Sequence, residues 1–213
     1  MCIICVSNKG TQQPTTTQIK TMFRNNPHGA GYMVARNGHV EIHKGFMDLD
    51  DFLRQLESEQ FTEDDVVVYH FRISTQARVT PEMTHPFPLT SDISRCEKLD
   101  LLCPCGVAHN GIIHMTSGLS KRYSDTALFI ASYMHKVVRK PSDLYDEAVL
   151  EILEKLIGSK MAIMDKSGYV ATVGNFITED NGLMFSNSTY QSTGRNVKCQ
   201  TSWLKNYAPF YLR

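Results

Sequence analysis

Long apolar runs are missing from this chain. Its longest, "DVVVYHF" and "SKMAIM", fall far short of the ~20 residues a membrane-spanning helix needs. A basic segment leading into a signal-type core is missing from the N-terminus as well. Neither sign of charge is in excess: lysine plus arginine number 22, and aspartate plus glutamate 22. No global field therefore draws the chain to nucleic acid or to an anionic membrane surface, and a small neutral or zwitterionic ligand fits better. Internal repeats, low-complexity tracts and linkers are also lacking. These absences lead us to expect one soluble, cytoplasmic domain spanning residues 1–213.

A second metal-binding arm is lacking too. Six cysteines are present, and Cys96, Cys103 and Cys105 cluster around "CPC". Zinc sites more usually pair two arms of C-x-x-C or H-x-x-x-H spacing, and no partner arm accompanies this one. Reduced thiols, no disulfide framework, no metal and no cofactor are the expectation.

What is present reads as short strands in pairs and helices in separate blocks. "MCIICVS" is a buried strand ended by Ser7, Asn8 and Gly10. "TTTQIKTMFRNNP" carries Ile19, Met22 and Phe23 on one helical face, with threonines as caps and Pro27 beyond its end. "GYMVARNGHVEIHKG" is a hairpin, because Asn37 and Gly38 can both take the positive φ of a type I′ turn. A helix follows at "DLDDFLRQLE", with Leu49, Phe52, Leu53 and Leu56 at core spacing. Next come the strand "DDVVVYHFR" and a stretch holding Pro81, Pro86 and Pro88 that should be irregular. Beyond it, "GVAHNGIIH" is a strand interrupted at Asn110 and Gly111, and helices are expected over "DTALFIASYMHKVV" and "DLYDEAVLEILEKL". Strands in "KMAIMDKSGYVATVGNF" and "GLMFSNSTY" complete the pattern, and the final twenty or so residues read as irregular. Paired strands with segregated helices define an α+β class, not a doubly wound one.

Candidate chemistry begins at Cys2, directly behind Met1. Alone it reads as a small hydrophobe opening an edge strand. Arg72 reads alone as a solvated strand end, Asn110 with Gly111 as a turn, and Asp125 as a residue favoured by a helix dipole. The ordered set says more: "NPHGAGYM" at 26–33, "HFRIST" at 70–75, "THPF" at 84–87, "AHNG" at 108–111, "SDT" at 124–126 and, more weakly, "MFSNS" at 184–188. With Cys2 these motifs resemble the class II glutamine amidotransferases, which are N-terminal-nucleophile hydrolases, and most of all their stand-alone phage and bacterial type. The chain departs from that pattern at Ile3 and Gln76, where many members carry glycine and histidine.

The resemblance implies a four-layer αββα sandwich and hydrolysis of glutamine to glutamate and ammonia. Cys2, exposed by removal of Met1, would be the nucleophile, with its own α-amine as base. Asn110 and Gly111 would stabilise the oxyanion, Arg72 would grip the substrate α-carboxylate and Asp125 its ammonium, and Thr75 would add a hydroxyl contact. His85 would organise its loop, and His109 would be structural. No synthase domain follows, so an ammonia acceptor would be a protein in trans. Two alternatives stand beside this reading: an amidohydrolase of another γ-glutamyl compound, and a catalytically silent module that binds glutamine or docks a partner.

Overall fold

The computed structural model describes residues 1–74 and 79–191. Two antiparallel sheets carry the chain. The larger is built from β1 (Ile3–Ser7), β2 (Ala30–Arg36), β3 (His39–Phe46), β4 (Val67–Phe71), β6 (Asp100–Cys103), β10 (Ile177–Thr178) and β11 (Met184–Phe185), in the order β10-β11-β1-β4-β2-β3-β6. The smaller holds β5 (Phe87–Pro88), β7 (Cys105–Asn110), β8 (Lys160–Asp165) and β9 (Val170–Val173), in the order β5-β7-β8-β9. The helices fall into two groups: α1 (Thr16–Asn25) and α2 (Leu49–Glu59) early, and α3 (Asp125–Phe129), α4 (His135–Val137) and α5 (Glu147–Ile157) late. This is an α+β fold.

Side-chain alternation along the strands sorts the core into three clusters. Ile3 and Cys5 of β1 join Tyr32, Val34 and Phe71 against Ile19, Met22 and Phe23 of α1 and Phe52 of α2. Ile4 and Val6, one residue out of phase, join Met33, Ile42 and Val68 against Ala108, Ala162 and Met164 of the smaller sheet. On that sheet's other face, Val107, Met161 and Ile163 meet Phe129 of α3 and Leu153 and Ile157 of α5. The strand "IICVS" is buried throughout and apolar from Ile3 to Val6 because both of its faces are covered. Emptying one of these positions, as in Phe52→Ala, would cost about 3–5 kcal/mol.

Local chemistry explains the early elements. Thr15 and Gln18 form a reciprocal capping box at the start of α1. Asp48 caps α2, accepting the backbone N–H groups of Asp50 and Asp51. Asn37 and Gly38 take φ values of 51° and 74° and close the β2–β3 hairpin as expected. Elsewhere the structure departs from the sequence reading. The proline-rich stretch supplies a 3₁₀ turn at Pro81–Met83 and the edge strand β5. The helix expected over 125–138 carries a π-helical turn at Ile130–Met134 between α3 and α4. Tyr145 ends a 3₁₀ turn begun at Pro141, and α5 starts only after its cap at Asp146. Strand β6 was not anticipated, and "GLMFSNSTY" contributes only the two residues of β11. "CPC" links sheets: Cys103 ends a strand of the larger and Cys105 begins one of the smaller, with Pro104 at the crossing. Among the described residues no helix is long and apolar enough to cross a membrane.

Candidate active site

Sheet register builds the site. Ile3 pairs with Phe71, and so the residue before β1 and the residue after β4 lie opposite each other: Cys2 and Arg72. β1 is no edge strand, since it lies between β4 and β11. The Cys2 thiol accepts the Ile73 N–H at 3.4 Å and faces the Ile73 carbonyl at 3.5 Å. Its backbone carbonyl accepts Asn187 Nδ2 at 2.7 Å. Burial raises the thiol above its ordinary pKa, against the opposing pull of the Ile73 N–H and the Arg72 guanidinium. A thiol held protonated in this way needs a base in contact with it before it can attack.

A cavity of about 470 Å³ opens in front of the thiol, walled by Cys2, Arg72, His85, Gly111 and Asp125 among others. Sites for small molecules run from roughly 300 to 1,000 Å³. Arg72 is a buried cation and not a solvated strand end; burial lowers its pKa, and the Cys2 and Asp125 charges oppose that shift. Asp125 opens α3 behind the Ser124 cap, and its Oδ2 accepts the Ile113 N–H at 2.7 Å, tying down the segment after Gly111. Gly111 has φ +152°, and a Cβ there would sit 2.4 Å from the Ser159 Cβ, so the position admits glycine alone. Asn110 is not among the cavity-lining residues: its Nδ2 lies 2.9 Å from Ser186 Oγ, and its buried Oδ1 has no hydrogen-bond partner. Thr75 lies outside the described residues.

Three buried histidines cluster here, His85 and His109 lining the cavity and His70 packed against His85. His109 is held from both sides, Nδ1 at 2.9 Å from Thr126 Oγ1 and Nε2 at 2.7 Å from Ser159 Oγ. Because the Ser159 hydroxyl donates to the Ile157 carbonyl, His109 Nε2 is the donor to Ser159 and Nδ1 the acceptor from Thr126. His70 Nε2 donates to the His109 carbonyl at 3.0 Å. His85 packs tilted against His70 at 4.3 Å and edge-on to Phe87 at 4.6 Å, centroid to centroid, with neither ring nitrogen hydrogen-bonded among the described residues. The packing of His85 is thus with rings, and its polar atoms hold no loop. Among the described residues no group of three or more His, Cys, Asp or Glu could hold a metal ion.

Sequence reasoning missed Ser186, which binds the Ile4 backbone and Asn110, and Asn187, which binds the Cys2 carbonyl. The only signal was the motif "MFSNS", since nothing local marks residues that act on β1 from 182–185 positions away.

The buried histidines have a measurable consequence. Burial lowers His70 to about 3 and His109 to about 4, the latter partly offset by Asp125. Both lie below the unfolded value near ~6.5. Their contribution to stability is therefore complete above pH ~6.5 and is lost as pH falls through the folded values. Between pH 6.5 and 5 we expect each ring to forfeit about 2 kcal/mol of unfolding free energy. Urea titrations across that window read this, above the range where ordinary carboxylates titrate; a flat midpoint would contradict it.

No family model matches the chain, and no curated protein matches it.

Proposed function

We propose that the chain is a glutamine amidohydrolase of the class II amidotransferase type, built on the four-layer αββα sandwich of N-terminal-nucleophile hydrolases. The fold part of this reading is supported by the three core clusters, which run from α1 and α2 through the larger and then the smaller sheet to the late helices. One observation carries the function: Cys2, Arg72, Gly111 and Asp125, drawn from four separate segments, wall one cavity.

In this reading removal of Met1 frees the Cys2 α-amine, which takes the thiol proton that burial otherwise retains. The sulfur attacks the side-chain carbonyl carbon of glutamine, and the oxyanion meets Asn110 and the Gly111 N–H. The C–N bond breaks as the ammonium returns the proton, and ammonia leaves. Water then cleaves the γ-glutamyl thioester to glutamate. Arg72 and Asp125 read the α-carboxylate and α-ammonium, which only a free amino-acid end carries together.

Purified protein with an intact mass lacking Met1 is expected to release glutamate and ammonia from glutamine in equal amounts. Turnover only of other γ-glutamyl amides would replace glutamine as substrate, and glutamine binding without turnover would make the chain a silent module. Full activity with Met1 retained would overturn the α-amine mechanism.

A further inference from the structure

We propose that Ser186 is a positioning residue that fixes the orientation of the Asn110 amide, presenting its N–H pair to the oxyanion; this rests on the glutamine-hydrolysis reading. Ser186 is fully buried and bridges the two sheets. Its Oγ accepts the Ile4 N–H at 2.9 Å, and its own N–H donates to the Ile4 carbonyl at 3.0 Å. Its carbonyl accepts Lys160 Nζ at 2.5 Å, which anchors it to the start of β8. The hydroxyl is therefore fixed relative to β1, and 2.9 Å away lies the Asn110 amide.

The donor arithmetic decides which way that amide faces. With Nδ2 toward Ser186, Oγ receives two N–H groups and its own proton has no acceptor, while Asn110 Oδ1 is buried without a partner. Buried polar groups are costly to leave unmatched. A half-turn of the amide repairs both faults: the Ser186 hydroxyl, already accepting from Ile4, donates to Oδ1, and Nδ2 moves to the unmatched position. Two N–H donors are then left without an acceptor among the described residues, on the residue that directly precedes the cavity-lining Gly111, and a developing negative oxygen is the partner such donors suit. Ser186 thereby converts an amide of either orientation into one of fixed polarity.

The test is a cycle of Ser186→Ala, Asn110→Ala and the double variant in glutamine hydrolysis. Ser186→Ala is expected to lower kcat about 10- to 100-fold, with KM within about twofold of the parent. In the Asn110→Ala background the same change is expected to cost under about threefold, because nothing remains to be oriented. Ser186→Cys keeps the volume and weakens the donor; it carries the same comparison if Ser186→Ala does not fold. Equal losses in both backgrounds, or a rise in KM at constant kcat, would overturn the proposal while leaving glutamine hydrolysis standing. A parent that turns over no glutamine would overturn both.

Discussion

Replacing Cys2 by alanine is expected to reduce glutamine hydrolysis to background, a loss on the order of 10⁵-fold, while leaving the fold in place. The thiol is part-buried at a strand end, and its contacts are with the Ile73 backbone, so stability should change by about 1 kcal/mol or less. A diazoketone that mimics glutamine is expected to add to Cys2 alone among the described cysteines. Burial raises Cys96 to about 11, Cys103 and Cys105 to about 12, and Cys5 further still. None of these holds an appreciable thiolate fraction at neutral pH, and none of them lines the cavity. Peptide mapping reads the site of addition; labelling at Cys96 would move the active site away from this cavity.

The second large effect separates recognition from chemistry. In the proposed reaction the charges met by Arg72 and Asp125 would exist in both ground and transition states, whereas the charge met by Asn110 would appear only during reaction. Arg72→Ala is therefore expected to raise KM for glutamine about 100-fold or more, and Asn110→Ala to lower kcat by about 10²–10³ at little change in KM. Asp125 calls for asparagine rather than alanine, because its carboxylate also holds the Ile113 N–H and an amide oxygen keeps that anchor. Arg72→Lys should recover little, since a point charge does not replace a planar fork. Glutamine with an amidated α-carboxyl is expected to be a poor substrate for the parent and nearly unpenalised relative to glutamine in Arg72→Ala. Equal turnover of both by the parent would remove the carboxylate-reading role.

Much of the fold was legible wherever the physics is local. The caps at Thr15 and Asp48, the Asn37-Gly38 turn and the spacing of Ile19, Met22 and Phe23 each act within a few residues. Strand β6 was not legible, because Asp100, Leu101 and Leu102 are not fully buried and its only pairing is with β3, some sixty positions earlier. The same holds at the site. Cys2, Arg72, Gly111 and Asp125 came through motifs, but their meeting depends on the Ile3–Phe71 register, and Ser186 became visible only through hydrogen bonds to Ile4 and Asn110.

That span between Ile4 and Ser186 also sets an order of events during synthesis. Strand β1 gains its β4 neighbour once residue 71 has emerged, but β11, Ser186 and Asn187 are made more than a hundred residues later. At about 5–20 residues per second, roughly 6–25 s separate the two events. Throughout that interval the segment carrying Cys2 lacks the neighbour that clasps its carbonyl, and in the proposed reading this is when the preceding methionine would be trimmed. The proposed nucleophile thus precedes, by 185 positions, the Asn187 side chain that holds its carbonyl. A nascent chain halted short of β11 would carry Cys2 and Asn110 without the Asn187 and Ser186 side chains that bind them.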